Sequence, residues 1–430
     1  IWILIFHFSS LSFFQQLEDN YEVLFQEYVS DFSSLEFLQL YFYITLCIPF
    51  CNPFQAFGYK DEKGELSWWK LQSLCILRAI MKKAFVSMNK NLQTVFVLLL
   101  SVVFLASCSE PQPELRRISG FTMGSQYHIS WFGGEATPTE VHEQVEDRLA
   151  HLISVFSTYE KNSELSRLNS NSETLAGKPV QVSPELMSVL QDASYINRYS
   201  MGRLDVTVGP LVNLWGFGPE EREGVPSQAE VDQLLEMTGM NKLALDKEKN
   251  EILMDVPLYI DLSAVAKGWA VDDIGLLLEA MEISDYLVEI GGEVRIRGAK
   301  PSGDWRIAIE RPVMEVGHSA QKIIAPGNHA VATSGDYRNY FEENGQRYSH
   351  TIDPLTGYPI RHALASVSVI LPTCSLADAW ATALNVAGPE AAMALAEAND
   401  LPAYFIIRDG DGFKEASSSA FERMFGSAGH

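Results

Sequence analysis

The sequence has little cysteine, and its few cysteines are poorly placed for disulfide formation. Three of the five, Cys47, Cys51 and Cys75, lie before residue 81, and Cys108 ends a leader-like segment. Cys374 is therefore alone in the rest of the chain, which excludes an internal disulfide there. We expect Cys374 to be a buried small hydrophobic residue rather than a nucleophile.

Basic residues are also scarce, and glycine-rich nucleotide motifs are absent. Acidic residues outnumber lysine and arginine by 55 to 32, which gives a formal net charge of −23. This charge argues against nucleic acid as a partner and against charge-driven docking on anionic lipid. No GxGxxG opens a helix after a strand and no GxxxxGK[ST] occurs, so Rossmann and P-loop nucleotide binding are not expected.

The apolar run that follows Lys82, Lys83 and Lys90 is too short to span a bilayer. The apolar run contains about 11 residues (95–105), whereas a helix that spans a bilayer needs roughly 20 apolar residues. The run ends in Leu-Ala-Ser-Cys108, which looks like a bacterial lipobox. We therefore predict a lipoprotein signal over 81–107 and lipidation of Cys108. The alternative is a retained membrane anchor.

The leader divides the chain into four parts. Residues 1–80 are expected to be a non-native upstream extension, with translation starting at Met81 or Met88, and the alternative is a membrane-associated extension. Residues 108–116 are predicted to be a polar tether. Residues 117–430 are long enough for one large domain or two intimately joined ones. Acyl chains would hold this domain at a bacterial envelope membrane, inner or outer, facing the periplasm.

Apolar patterning in the large domain predicts an α+β fold, with helices packed on mostly antiparallel sheet. A strand pair is predicted over 117–131, with its turn at Met123-Gly124-Ser125. Further strands are predicted at 252–260, 286–290, 294–297, 305–309, 365–370 and 403–408. Helices are predicted after the N-capping residues Thr137, Ser183, Ser227 and Ser375, the third ending at Gly239 and the last running from Leu376 to Ala387.

The last predicted helix carries two oxygen ligands on one face. Asp378 and Thr382 are four residues apart in an otherwise nearly apolar helix. A buried carboxylate needs a partner, and a hard cation such as Mg²⁺ takes carboxylate and neutral oxygens. From these residues alone, the alternative is an acid that complements the helix dipole beside a surface threonine.

Polar residues elsewhere have both a chemical and a structural interpretation. Asp261 precedes a second helix, where N–H groups and Lys267 can face an anion, although an acid that only caps the helix is the better interpretation of the pattern. Asp205, alone in an apolar run, is typical of a turn. His350 is the best general-base candidate, because a hydroxyl that attacks phosphorus must lose its proton near neutral pH. A lone histidine near a turn is otherwise structural.

Three aromatic residues are open to two interpretations. Tyr159, Trp215 and Phe217 can stack on a flat ring system, but each is also typical of a hydrophobic core.

Four segments, taken in order, resemble the FAD:protein FMN transferases, also called ApbE-like flavin transferases. They are RLDVTVGPLVNLWGFG at 203–218, DLSAVAKGWAVD at 261–272, ATSGDYRNYF at 332–341 with SHTIDPLTGYP at 349–359, and ADAWATALNVAG at 377–388. The resemblance covers about 121–412. It implies a T-fold-related flavin-transferase fold, with mostly antiparallel sheets and packed helices in two halves around a central cleft.

The resemblance also implies site residues. The metal would bind Asp378, Thr382 and the carbonyl oxygens of Ala264 and Ala381. Many members have a second acid where this chain has Ala381, which puts metal affinity and metal count in question. His350 and Asp205 would be catalytic. The implied FAD contacts are Met123, Tyr159, Asn169, Leu204, Asp205, Val206, Asp261, Lys267, Thr333, Ser334 and Ile352.

The implied reaction is Mg²⁺-dependent transfer of FMN from FAD to a Thr or Ser hydroxyl of a partner protein, with release of AMP. The partners would be flavin-carrying subunits of NADH:quinone reductase or RNF-type complexes, which carry an Asp/Ser-Gly-Ala/Ser-Thr-like acceptor segment. Two alternatives stay open. One is a metal-dependent FAD pyrophosphatase that gives free FMN and AMP, and the other is a lipoprotein that binds FAD without chemistry.

We predict that the mature protein begins at an acylated Cys108. Mass spectrometry of the protein isolated from its native host should find no peptide from residues 1–107, because the leader is expected to be absent or removed. Detection of a peptide from within 21–60 would contradict this prediction.

Overall fold

The computed structural model describes residues 114–219, 224–312, 320–335, 340–343, 346–410 and 412–426. The predicted leader, Cys108 and most of the predicted tether lie outside the described residues. Among the helices within the described ranges, none is long and apolar enough to cross a membrane. The account of the fold below concerns these ranges.

Strands and helices are numbered in chain order. The strands are β1 Arg116–Thr122, β2 Ser125–Phe132, β3 Pro179–Gln181, β4 Leu243–Asp246, β5 Glu251–Met254, β6 Asp285–Ile290, β7 Glu293–Arg297, β8 Ile307–Glu310, β9 Ala320–Ile324, β10 Ala330–Gly335, β11 Tyr340–Glu343, β12 Gln346–Ser349, β13 Leu364–Leu371, β14 Ala403–Asp409 and β15 Gly412–Ser417. The helices are α1 Pro138–Phe156, α2 Glu164–Ser170, α3 Ser172–Leu175, α4 Pro184–Tyr199, α5 Gly209–Leu214, α6 Gln228–Leu235, α7 Ala266–Ala280, α8 Cys374–Ala387, α9 Pro389–Ala398 and α10 Ser419–Phe425.

An eight-stranded sheet in the order β1-β2-β6-β7-β10-β13-β14-β15 organises the described residues. Its neighbouring strands are antiparallel throughout, as in the pairing of β13 with β14. Side chains alternate between the two faces of each strand. Val367 and Phe405 therefore join the main core with α1, α4, α7 and α8, whereas Ile370 and Tyr404 face a second core that includes β8, β9 and α10. The helices that carry the site thus pack on one face.

Several local predictions are confirmed. The first strand pair turns at Met123 and Gly124, both with positive φ. Thr137 caps α1 in a full capping box, and Ser183 and Ser227 cap α4 and α6. These predictions are correct because a turn or a cap depends on neighbours within about one helical turn of the chain.

Two predicted boundaries are wrong. The strand expected at 252–260 stops at Met254, because Pro257 has no N–H for a ladder and the backbone of Ile260 bonds to a side chain instead. Helix α6 ends at Leu235 rather than at Gly239, which lies before a 3₁₀ turn.

The predicted cap of α8 is also wrong. Ser375 lies inside the first turn, and its hydroxyl donates to Asp192 Oδ2 at 2.5 Å. The free N–H groups of Cys374 and Ser375 are instead bound by Asp272, a residue of α7, at 2.9 Å each. A carboxylate from a neighbouring helix therefore satisfies the donors that a local side chain was expected to bind. Cys374 itself is buried and free, as predicted.

Helices α7 and α8 approach each other closely at Gly268. A Cβ atom at this position would lie 2.4 Å from the Cys374 carbonyl oxygen and 2.7 Å from Asp378 Cβ. Both distances are shorter than van der Waals contact, so only glycine permits the observed crossing. The same close approach lets the Gly268 N–H donate to Asp378 Oδ2 at 3.0 Å.

We predict that Gly268→Ala lowers the free energy of unfolding by about 1–3 kcal/mol, because the two helices must move apart. Urea denaturation measures the change. Gly412→Ala is the matched control, since the nearest atom to its Cβ would be 3.7 Å away. Equal stability of the two variants would contradict the crossing argument.

Candidate active site

The two predicted ligands on α8 lie one turn apart. The Asp378 side chain is buried and Thr382 is half-buried, and the helix is continuous across both. A separation of four residues places them on one face, about 6 Å apart along the helix axis. The structure therefore agrees with the predicted geometry of this pair.

The carbonyl of Ala264 lies just before α7. The helix begins two residues later, and Val265 accepts its first helical hydrogen bond, from the Trp269 N–H at 3.0 Å. The Gly268 N–H belongs to the first turn, which has no acceptor within the helix, and it donates to Asp378 Oδ2. Asp378 therefore satisfies a backbone donor at the start of α7, four residues after Ala264.

The donor set fits a hard cation. Within the described ranges, no group of three or more His, Cys, Asp or Glu side chains is arranged to hold a metal ion. A cation at Asp378 would therefore depend on one carboxylate, the Thr382 hydroxyl and backbone carbonyls at Ala264 and Ala381. Mg²⁺ accepts such a mixed oxygen set and keeps water for its other positions.

A second buried acid, Glu293, lies beside this site. Lys267 Nζ is 2.9 Å from Glu293 Oε1, and the Glu293 side chain is only 5% exposed. Glu293 Oε2 has no hydrogen-bond partner among the described residues. Burial raises the pKa of Glu293 to about 7, although the Lys267 ammonium opposes the rise. The sequence patterns did not identify Glu293. Its one signal in the sequence is its position directly after Gly291 and Gly292.

With both carboxylates ionised, the charge balance of the cluster of Asp378, Glu293 and Lys267 is negative. Burial also raises the pKa of Asp378, against the attraction of Lys267 and the Gly268 hydrogen bond. Burial alone would lower the pKa of Lys267, but Glu293 and Asp378 outweigh it and raise the pKa. Two carboxylates therefore share one ammonium group, and an added cation would balance the excess negative charge.

The segment before α7 is held by long-range contacts. Asn169 on α2 bonds both backbone groups of Ile260 at 2.8 Å, and the N–H of Asp261 donates to the Val206 carbonyl at 2.7 Å. Tyr159 is 70% exposed, and burial of its hydroxyl and the charge of Asp261 raise its pKa. The structure thus brings together four of the predicted FAD contacts.

Asp261 does not cap α7, so the capping interpretation is wrong. Its Oδ1 accepts hydrogen bonds from the Ser263 N–H and hydroxyl at 2.9 and 2.6 Å. Helix α7 begins later, at Ala266, without a side-chain cap. The carboxylate therefore shapes the turn before the helix, and its Oδ2 accepts no hydrogen bond from the described residues.

Asp205 has the structural role in a turn that the sequence pattern indicated as an alternative to catalysis. Its Oδ1 accepts from the N–H and hydroxyl of Thr207, and its Oδ2 accepts from the Met240 N–H at 2.9 Å. Leu204 and Val206 on either side are buried. Because both oxygens of Asp205 are engaged, the structure gives no support to its catalytic role, which stays a prediction.

The remaining predicted contacts are spread over the strands and loops. Met123 is partly buried at the turn between β1 and β2. Thr333 on β10 is exposed and bonds Ser368, while Ser334 accepts from Asn385 of α8 at 3.4 Å. Ile352 is buried and bridges to Pro359.

His350 lies beside an aromatic cluster. Its ring is edge-on to Phe217, with centroids 6.4 Å apart. Trp215 is 2% exposed and donates to the Gly357 carbonyl at 2.8 Å, so the core interpretation of that residue is confirmed. Tyr159, by contrast, is exposed and does not belong to a core.

A cleft with a volume of about 440 Å³ adjoins these segments. It is lined by Arg203, by residues of the loop 353–362, and by Val386 and Ala387 at the end of α8. Val386 lies eight residues after Asp378, about 12 Å along the helix axis. The cleft therefore borders the C-terminal end of α8, and none of the predicted metal ligands lines it.

Comparison with known proteins decides the family. The ApbE family profile matches residues 123–405. A relative from Vibrio cholerae, the "FAD:protein FMN transferase", is 45% identical over 331 residues, which are 76% of this chain and 97% of the relative. Its namesake from Escherichia coli K12 is 39% identical over 76% of this chain and 95% of its own length. The chain belongs to the ApbE family.

Solved ApbE structures have the same fold. The flavin transferase ApbE from Vibrio cholerae aligns with a TM-score of 0.67 at 43% identity, over 73% of this chain and all of that one. The apo flavinyl transferase ApbE from Pseudomonas stutzeri aligns with a TM-score of 0.68 at 39% identity, over 75% of this chain and all of that one. The predicted α+β flavin-transferase fold and the predicted enzyme class are confirmed.

We predict that Lys267→Met lowers the free energy of unfolding by about 3 kcal/mol, because it leaves buried Glu293 and Asp378 without their cation. The loss should be smaller when Glu293→Gln is already present, since the excess charge is then reduced. Lys249→Met is the control, because Lys249 pairs with Asp246 at the surface and its removal should have no measurable effect. Urea denaturation of these variants tests the prediction, and identical losses for Lys267 and Lys249 would overturn it.

Proposed function

We propose that this ApbE-family enzyme transfers FMN from FAD to a threonine or serine hydroxyl of a partner protein and releases AMP. One observation carries the proposal. Asp378 accepts the Gly268 N–H at the start of α7, in a cluster where it and the buried Glu293 lie beside a single cationic group, Lys267. Such a site suits the metal ion that phosphoryl chemistry on a pyrophosphate needs.

The metal in the proposal is Mg²⁺, held by Asp378, Thr382 and the carbonyl oxygens of Ala264 and Ala381. When bound, it would neutralise negative charge on the pyrophosphate of FAD. The cluster would keep the site dry, because Asp378 and Glu293 are almost fully buried. Burial strengthens every electrostatic contact made there.

The protein side chains would position the substrate. Asn169 fixes Ile260, and this places the adjacent Asp261 against Val206 and near Tyr159. The exposed Tyr159 ring offers a stacking surface for a flat heterocycle. Lys267 has N–H groups beyond the one given to Glu293, and these can face a phosphate.

The chemical step exchanges one bond to phosphorus for another. The acceptor hydroxyl oxygen forms a bond to the phosphorus on the FMN side, and the bond from this phosphorus to the oxygen of AMP breaks. The hydroxyl proton passes to an imidazole nitrogen of His350, and AMP leaves with the bridging oxygen. In this step His350 is the general base, and positioning supplies much of the rate.

The proposed acceptors are flavin-carrying subunits of NADH:quinone reductase or RNF-type complexes with an Asp/Ser-Gly-Ala/Ser-Thr-like segment. We also propose that the enzyme faces the periplasm from a lipid anchor at Cys108. The sequence supports both proposals, through the family resemblance and through the leader that ends at that cysteine.

The full chain, purified in detergent, should release AMP from FAD only with Mg²⁺ and an acceptor domain, and the acceptor should gain the mass of one FMN. Asp378→Ala should lower the rate by about a hundredfold or more, since it removes the only carboxylate of the proposed metal site. Asp246→Ala, which alters an exposed acid, is the control.

The other outcomes separate the alternatives. AMP released without acceptor would indicate a pyrophosphatase, and FAD that stays intact in every sample would indicate a binding protein. An unmodified acceptor with identical behaviour of Asp378→Ala would refute the proposed function.

A further inference from the structure

Lys267 lies near two carboxylates but forms an ion pair with one of them. Its Nζ is 2.9 Å from Glu293 Oε1, and among the described residues it makes no ion pair with Asp378. The charge of Asp378 nevertheless acts on Lys267, because it helps to raise the pKa of the ammonium group. The ammonium group is therefore within electrostatic reach of both acids and is bound to Glu293.

The turn between β6 and β7 leads the lysine side chain toward Glu293. Gly291 and Gly292 both have positive φ, which a two-residue hairpin turn of this kind requires. They connect the two strands where Ile290 pairs with Glu293. A Cβ atom at Gly291 would lie 3.4 Å from Lys267 Cδ, so the aliphatic part of the lysine packs on this turn. Glu293 is the first residue after the turn, and it meets the ammonium group at the end of that side chain.

Glu293 depends on Lys267 for its charge compensation. The Glu293 side chain is only 5% exposed, and its Oε2 has no hydrogen-bond partner among the described residues. Lys267 is the cationic group whose charge acts on it. A buried carboxylate without a cation is costly, so each member of the pair favours the other as its partner.

Asp378 can serve as a metal ligand only while the ammonium group is bound elsewhere. The Gly268 N–H occupies its Oδ2, and no donor from the described residues contacts its Oδ1. An ammonium group bound to Asp378 would neutralise the carboxylate and repel an incoming cation at short range. A metal ion binds an oxygen ligand in its available, anionic form. The ion pair with Glu293 thus determines whether Asp378 is available.

We propose that Glu293 is a positioning residue that holds the Lys267 ammonium group away from Asp378 and so keeps this carboxylate available to the metal ion. Glu293 acts through Lys267 rather than as a metal ligand. The inference rests on the proposed function, because it takes the metal ion to bind at Asp378.

Binding of Mn²⁺ to the full chain in detergent, without FAD, tests this role. Mn²⁺ takes the oxygen ligands that Mg²⁺ takes, and the electron paramagnetic resonance signal of free Mn²⁺ measures how much is bound. The site is the binding that Asp378→Ala abolishes. Glu293→Gln keeps the shape of the side chain and removes its charge, so the ammonium group should turn to Asp378. The dissociation constant for Mn²⁺ should then rise about tenfold or more, as it does when a group that orients a metal site is lost.

The same substitution in a Lys267→Met background separates positioning from charge. Without the ammonium group nothing is left for Glu293 to hold, so Glu293→Gln should change the dissociation constant by about threefold or less. An equal loss of affinity in both backgrounds would show that Glu293 acts on the metal through its charge alone. That result would overturn the proposal.

Glu185→Gln is the matched control. Glu185 is 20% exposed and pairs with Arg148 at 3.2 Å rather than with Lys267, so its substitution should leave Mn²⁺ binding unchanged. Thermal unfolding verifies that each variant is folded. A crystal structure of Glu293→Gln should show Lys267 Nζ at about 3 Å from an Asp378 oxygen. An ammonium group that stays in place would contradict the proposal, even where Lys267→Met fails to fold.

The two proposals fail separately, because these measurements do not involve flavin transfer. If Glu293→Gln binds Mn²⁺ as tightly as the unaltered chain, the positioning proposal is overturned and the proposed function stands. If the unaltered chain has no Mn²⁺ binding that Asp378→Ala abolishes, the proposed metal site fails, and the positioning proposal fails with it. If Mn²⁺ binding follows the expected pattern but no acceptor is modified, the proposed transfer fails and the positioning role stands.

Discussion

The site depends on two reciprocal hydrogen-bond contacts between α7 and α8. Helix α7 gives the Gly268 N–H to Asp378, and it binds the first N–H groups of α8 through Asp272. Arg295 in turn holds Asp272 at 2.7 Å. These contacts fix the axial position of α8 relative to α7. The segment 264–268 is thereby held against the first turns of α8, where the proposed metal ligands Asp378 and Thr382 lie.

The charged side chains in this arrangement reduce the stability of the fold. Asp378 and Glu293 are buried beside the half-buried Lys267, in the part of the fold where α7 and α8 would otherwise pack as apolar helices. Buried ion groups of this kind seldom add net stability. Under the proposed function, a cation or a polyanionic substrate would change this charge balance when it binds. The large core on the sheet face supplies the stability that the site does not.

Long-range contacts join distant segments of the chain. Asn169 reaches Ile260 across 91 residues, and Arg203 reaches Asp353 across 150. Because these bonds connect α2 and loops, tertiary packing rather than local sequence sets the positions of the turn at Asp261 and of the loop 353–362.

The sequence determined the features that depend on near neighbours. It specified the α+β class, the capping box at Thr137, the shared face of Asp378 and Thr382, and the four segments that mark the family. Tertiary structure decided what depends on contacts between remote residues. The cap of α8 comes from Asp272, 102 residues away from Cys374, and Glu293 becomes a buried partner of Lys267 only when β7 lies beside α7. Periodicity and capping rules extend over one or two turns, so they have no access to such contacts.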